Sequence, residues 1–121
     1  MRVLILNYEF PPLGGGGANA TKYILKEFKK FKDLKIDLVT SSEKNKNEVI
    51  KFGENINIYK LNVRKKHVHH WRDIEVLRYM YKGLKLCKKL NKSRRYDLCH
   101  AFFTLPCGYI PFKLKIPYIT S

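Results

Sequence analysis

Four consecutive glycines, Gly14 to Gly17, separate an apolar run, Val3-Leu4-Ile5-Leu6, from a segment whose apolar residues recur at helical spacing. Strand, glycine loop and helix in that order constrain the fold more tightly than any bulk property. A short, continuous apolar run is the signature of a parallel strand buried on both faces. The loop that follows it sets bare backbone N–H groups beside a helix N-terminus, an arrangement suited to an anion, usually a phosphate.

The rest of the chain repeats the alternation. Residues 2–7 read as the first strand and residues 18–31 as a helix. Tyr23, Ile24, Phe28 and Phe31 form its apolar face, opposite Lys22, Lys26, Glu27, Lys29 and Lys30. Residues 35–40 read as a second strand, 41–54 as a polar loop with some helical tendency, and Ile56 to Leu61 as a third strand. A basic segment, Arg64 to Arg72, carries His67, His69 and His70. The spacing then predicts a long helix from Asp73 to Lys92. Its stripe is Ile74, Leu77, Met80 or Tyr81, Leu84, Cys87 and Leu90, with Arg78, Lys82, Lys85, Lys88, Lys89 and Lys92 in water. Residues 97–103 make a fourth strand, and 105–113 a loop or broken short helix between Pro106 and Pro111. Residues 116–120 make a fifth strand.

A chain of 121 residues holds one domain. Alternating strands and helices predict an α/β fold: a single Rossmann-like, doubly wound, mostly parallel sheet of five strands, ordered third, second, first, fourth, fifth. Ligands of such sheets bind outside the carboxyl ends of the strands, at the switch between the first and fourth strands. The glycine loop and His100–Thr104 both fall at that edge.

Lys and Arg number 25 against 10 Asp and Glu, a formal net charge of +15. Two readings stay open. The excess suits anionic partners such as nucleic acid, acidic lipid or phosphorylated substrates. It also fits a lysine-rich compositional bias, since the chain contains no glutamine. No apolar run reaches the ~18–20 residues of a membrane span, and Arg2 begins no signal peptide. A cytoplasmic protein is expected. Cys87, Cys99 and Cys107 lack C-x-x-C spacing, so buried free thiols are expected. No cysteine or carboxylate pattern accompanies His67, His69 and His70, which argues for a solvated loop and no metal.

Three blocks carry a family resemblance. Asn7-Tyr8-Glu9-Phe10-Pro11-Pro12, Gly14–Gly17 and Ala18-Asn19-Ala20-Thr21 form the first. Tyr96-Asp97-Leu98-Cys99-His100-Ala101-Phe102-Phe103-Thr104-Leu105-Pro106-Cys107-Gly108 is the second, and Lys115-Ile116-Pro117-Tyr118-Ile119-Thr120-Ser121 the third. In order and spacing they resemble the N-terminal part of glycosyltransferase family 4 proteins of GT-B fold. The resemblance implies an acceptor-side Rossmann-like domain over residues 1–121, incomplete at its C-terminus and without the donor domain. Its implied activity is sugar transfer from a nucleotide-sugar to a lipid or glycan acceptor, inactive in this chain alone, which is then a fragment or stand-alone N-terminal domain. A subunit of a split enzyme whose donor half is a second polypeptide, and a basic anion-binding module for membrane or nucleic acid without catalysis, are the alternatives. The resemblance implies no further cofactor and leaves the catalytic residues unassigned.

By the same resemblance Gly14, Gly15, Gly16 and Gly17 lie beside the donor diphosphate or the acceptor, with Ala18-Asn19-Ala20-Thr21 starting the helix that faces the anion. His100 sits at the mouth of the fourth strand. Glu9 either orients a hydroxyl or holds the loop. A dinucleotide reading of Gly15-x-Gly17-x-x-Ala20 fits poorly. Tyr8–Leu13 intervenes between strand and glycines, and Asp37 lies inside the second strand instead of at its carboxyl end. No RNA-binding signature surrounds Phe102-Phe103, which reads as core, so nucleic acid is disfavoured. The lysine face of the long helix is solvated or contacts the anionic inner face of a membrane. A sheet ending on the fifth strand is expected to leave apolar surface exposed.

Overall fold

The apolar run at the N-terminus becomes the buried centre of a sheet. The computed structural model describes residues 1–68 and 70–121. Among these the elements run β1 (Arg2–Leu6), α1 (Gly16–Phe28), β2 (Lys35–Ser41), β3 (Glu48–Lys51), β4 (Ile56–Leu61), α2 (Asp73–Arg94), β5 (Leu98–Ala101), α3 (Tyr109–Leu114) and β6 (Tyr118–Thr120). The sheet order is β3-β4-β2-β1-β5-β6. All pairings are parallel except β3 with β4.

Alternation along β1 divides the core. Val3 and Ile5 join Ile36, Leu38, Ile56, Ile58 and Leu25 of α1 on one side. Leu4 and Leu6 join Val39, Leu61, Tyr79, Cys87, Cys99 and Ile110 on the other, under α2 and α3. The five strands read from sequence are present in the expected order. The sixth, β3, is a correction: it lies in the segment expected to be a loop. Glu48-Val49-Ile50-Lys51 pairs antiparallel along the outer edge of β4, with Glu48 opposite Lys60. Its burial is slight, so little apolar periodicity marked it.

The helix faces are corrected in part: Phe28, Leu84, Cys87 and Leu90 face the core as expected, and others do not. In α1 the buried residues are Ala18, Thr21 and Leu25, while Tyr23 is exposed, as is Phe31, which lies beyond the end of the helix. In α2 they are Glu75, Tyr79, Gly83, Cys87 and Leu90, while Ile74, Leu77 and Tyr81 are exposed. Close approach explains the shift in α2. A Cβ on Gly83 would stand 3.0 Å from Ile110 Cδ1, so α3 packs where a larger residue would hold it off. The buried Tyr79 hydroxyl donates to the Val39 carbonyl at 2.7 Å. Arg78 and Lys82, expected in water, instead donate to the carbonyls of Val63 and Asn62.

All three cysteines are free and buried, as their spacing indicated. Burial pushes the Cys107 thiol up to about 12 and Cys87 and Cys99 well above the ordinary range, so they pack as apolar groups. Tyr118 and Ile119 of β6 are exposed, as expected for the last strand of the sheet. No helix of the described residues is long and apolar enough to cross a membrane.

Candidate functional site

Asn7 builds the site. It directly follows β1 and is fully buried, so each of its polar atoms needs a partner. Its Nδ2 donates to the Gly17 carbonyl at 3.3 Å and to Thr21 Oγ1 at 2.8 Å, and its Oδ1 accepts from the Glu9 amide at 3.0 Å. One amide side chain thus fastens the end of β1, the start of α1 and the loop between them. The helix begins at Gly16, two residues before the expected start at Ala18, with Gly15 as its N-cap. No side chain caps it, and its first turn holds no acid. The N–H groups of a first helical turn have no partner within the helix.

The glycines differ among themselves. Gly14 has φ +77°, and a Cβ there would stand 2.4 Å from Glu9 Oε2. Conformation and space both require glycine at that position. Apart from their own chain neighbours and helix backbone, no atom of the described residues lies within 4 Å of where a Cβ on Gly15 or Gly16 would sit, so these two face open space. A Cβ on Gly17 would meet the Phe103 ring at 3.3 Å. Among the described residues the positive φ is thus needed at Gly14 alone of the four.

Aromatic rings wall this opening. Tyr8 stands edge-on to Trp71, with centroids 4.8 Å apart, and 5.4 Å from Phe103. Phe103, read from sequence as core, is exposed and holds φ +74° beyond the end of β5. Phe102 is half-buried against the α1-side core, as expected. The basic segment also reaches the site: the Gly14 amide donates to the Val68 carbonyl at 3.4 Å. At the carboxyl end of β2, the buried hydroxyls of Thr40 and Ser41 have no hydrogen-bond partner among the described residues, and neither does Trp71 Nε1.

Glu75 holds that basic segment in place. Its buried carboxylate accepts from Lys65 Nζ at 3.0 Å, the Lys66 amide at 2.9 Å, the Arg72 amide at 3.0 Å and Arg72 Nε at 3.1 Å. Burial alone would raise its pKa. The hydrogen bonds from Arg72, Lys65 and Lys66 outweigh burial and lower it to about 2. Lys65, also buried, lies over the Trp71 ring at 4.1 Å. Sequence reasoning passed over Glu75. Its only signal was a position three residues after Arg72, the spacing of a capping box.

The expected site residues do not all converge. Gly14–Gly17 and Glu9 lie together. Asn19 is exposed on α1, its amide already bonded to the Gly15 carbonyl. His100 is inside β5, opposite Ile5, and not at the strand's mouth. It stacks on Phe102 with centroids 4.4 Å apart, and its Nε2 shares a 2.7 Å hydrogen bond with Ser121 Oγ. Burial lowers its pKa. Strand alternation puts His100 on the α1 face of the sheet, because Cys99 and Ala101 occupy the other face. His67 and His70 pair through a single antiparallel bridge; His69 lies outside the described residues. No cluster of His, Cys, Asp or Glu able to hold a metal occurs among the described residues.

The opposite, amino edge of the sheet holds a cleft of about 450 Å³ that Arg2, Asp37, Asn57, Arg94 and Tyr96 help line, and its polar side chains are largely bonded to one another. Asp37 accepts from Arg94 Nη1 at 2.6 Å, Tyr96 Oη at 2.5 Å and Asn57 Nδ2 at 3.1 Å. Burial and then the Asp37 carboxylate raise the Tyr96 pKa. Asp37 is therefore a buried structural anion with no carboxylate oxygen offered to a ribose, which removes the dinucleotide reading.

No family model matches the chain, and no curated protein matches it. Among solved structures it is similar to sucrose-phosphate synthase from Thermosynechococcus elongatus, with TM-score 0.72 over 98% of this chain at 16% identity. A second structure of that protein gives TM-score 0.65 over 99% of this chain at 13% identity. The chain spans 32% of the length of the first and 61% of the second. The likeness defines the class by fold: a Rossmann-like α/β domain with a mostly parallel sheet, here of six strands.

Proposed function

We propose that this chain is the acceptor-side, family 4-like half of a glycosyltransferase that moves a sugar from a nucleotide-sugar to a lipid or glycan acceptor. The observation that carries the reading is the uncapped N-terminus of α1, which opens beside Gly15 and Gly16 at the carboxyl ends of β1 and β5. The three sequence blocks and the fold shared with sucrose-phosphate synthase support it.

In this role the amides of Gly15, Gly16 and Gly17 face the donor diphosphate. They are fixed before the reaction by Asn7, so they stabilise charge developing on the leaving phosphate without reorganising. Glu9 lies against Gly14; its carboxylate suits a sugar hydroxyl and repels phosphate, which keeps the anion toward Gly15–Gly17. Tyr8 and Phe103 form an apolar wall against which a sugar ring stacks. The donor half comes from outside these residues, and the chain alone turns over no nucleotide-sugar.

Replacing Gly16 by Asp tests the reading. The side chain enters open space, and a carboxylate in a first helical turn is favourable to the helix. Wild type is expected to bind UDP in a calorimetric titration and Gly16→Asp is not, with Tm unchanged or raised. UDP binding equal in the two proteins overturns it.

A second reading rests on a different surface. Ile74, Leu77 and Tyr81 are exposed along α2, and Lys85 lies 5.6 Å from the Tyr81 ring. Apolar residues bordered by lysines suit the interface of an anionic membrane. Co-sedimentation with phosphatidylglycerol vesicles, lost in Leu77→Asp, supports this contact; equal sedimentation of both proteins excludes it.

A further inference from the structure

We infer that the basic segment forms a second anion site, separate from the glycine loop, that takes the phosphoryl group of a phosphorylated small molecule or lipid headgroup. Asn45, Asn62, Arg64, Lys65, Lys66 and Arg72 line an open cleft of about 680 Å³. Asn45 lies in the connection after β2, and Asn62 directly follows β4, so the cleft lies at the carboxyl edge of the sheet, where ligands of such folds bind. Its volume is too large for phosphate alone and falls within the ~300–1,000 Å³ of small-molecule sites.

The cleft is built, not a casual meeting of surface lysines. Asn62 is committed at every polar atom. Its Nδ2 donates to Asn45 Oδ1 at 2.9 Å, its amide to Asn47 Oδ1 at 2.6 Å, its Oδ1 accepts from the Arg64 amide at 2.9 Å, and its carbonyl accepts from Lys82 Nζ at 2.6 Å. Arg64 holds φ +56°, and its carbonyl accepts from Arg72 Nη2 at 3.0 Å. Lys65 is buried at 1% side-chain exposure, bonded to Glu75 and to the His70 carbonyl. The backbone of this wall, with Asn62, Lys65 and Arg72, is therefore held before any ligand arrives, and the Arg64 and Lys66 side chains project from it into water.

The charge is unbalanced. Four cationic side chains line the cleft, and Glu75 is the one carboxylate bonded to any of them among the described residues. That carboxylate is shared by Lys65 and Arg72, while Arg64 and Lys66 are exposed and have no acidic partner among the described residues. An excess of positive charge concentrated in a concavity raises the local concentration of anions. Arginine offers a planar fork matched to phosphate oxygens, and lysine adds a point charge. The inference does not rest on the glycine-loop reading, because it uses different residues and a different part of the edge.

The test is an amide NMR titration at fixed ionic strength with two probes: glycerol 3-phosphate, and phosphatidylcholine vesicles containing phosphatidic acid. Glycerol 3-phosphate is expected to shift the amides of Asn62, Arg64 and Lys66 saturably. Arg64→Asn combined with Lys66→Ala removes both exposed charges and keeps a residue that tolerates positive φ at position 64. It is expected to weaken binding at least about tenfold, since two charge-assisted hydrogen bonds are lost. Binding of the vesicles alone, lost in the same variant, assigns the cleft to a lipid headgroup. The single variant Lys66→Gln, read with its Tm, serves if the double variant is unstable. Absence of saturable shifts with both probes, or equal affinity in the variants, overturns the inference. Shifts confined to Gly15–Gly17 overturn it too and leave the glycine-loop reading standing.

Discussion

The two edges of the sheet use the same kinds of residue to opposite ends. At the amino edge, Asp37 meets Arg94, Tyr96 and Asn57, so one carboxylate consumes a guanidinium, a phenol and an amide. At the carboxyl edge, Gly15 and Gly16 face open space, α1 is uncapped, and Thr40 and Ser41 hold unpartnered hydroxyls among the described residues. Arg64 and Lys66 carry charge with no bonded acid there. Where a buried charge is bonded as Asp37 is, removal of it costs stability. Where donors are preorganised and unspent, the structure holds binding capacity. Glu75 belongs to both kinds: it is a saturated buried anion whose saturation shapes the basic cleft.

The largest expected effect is at the amino edge. Asp37→Ala leaves Arg94 unpaired in a partly buried position and is expected to destabilise the fold by about 3–5 kcal/mol, the range for breaking a buried ion pair. Urea unfolding reads this directly. A change below 1 kcal/mol (on the order of one hydrogen bond) would break the contrast, because Asp37 would then be dispensable.

Glu75→Gln is expected to act on both counts: several kcal/mol of stability lost, and weaker phosphate binding in the basic cleft. Acid should mimic it. The Glu75 pKa falls from about 4.5 in the unfolded chain to about 2 in the fold. The unfolded state therefore takes up the proton first as pH drops. The contribution of Glu75 to stability is full above pH 4.5 and is lost between pH 4.5 and about 2. A wild-type stability curve that falls over that window, and flattens in Glu75→Gln, is the expected pattern. Identical curves would remove Glu75 from the account.

The smallest effect concerns the loop. Gly14→Ala places a Cβ at positive φ against the Glu9 carboxyl. It is expected to cost about 1–2 kcal/mol, the scale of a non-glycine residue in the left-handed region. Gly16→Ala is expected to cost nothing measurable, because its Cβ enters open space. Equal losses at both positions would erase the distinction between a glycine the backbone needs and one that only leaves room.

Much of this was legible in the residues. The order of the main strands followed from apolar runs alternating with helical spacing, because parallel strands buried on both faces advertise themselves. The glycine loop was legible for the same reason. The helix faces were legible only in part. Tyr23, Phe31, Ile74 and Leu77 are larger than Ala18, Thr21 and Gly83, yet they are exposed, and at Gly83 the side chain of Ile110 in α3 takes the space. The positioning residues were hidden for a related reason. Asn7, Thr21 and Glu75 act through hydrogen bonds to partners up to fourteen positions away, and periodicity carries no trace of such bonds. His100 was legible as a residue near a strand end, but its stacking on Phe102 and its bond to Ser121 were not, because those partners are set by the fold.

The claim that the carboxyl edge is the binding edge is tested most directly by an amide NMR titration with pyrophosphate, read at both edges at once. The account predicts saturable shifts at Gly15, Gly16, Gly17 and Ala18 and none at Arg2, Asn57 and Arg94. Saturable shifts at the amino edge with silent glycines would contradict it.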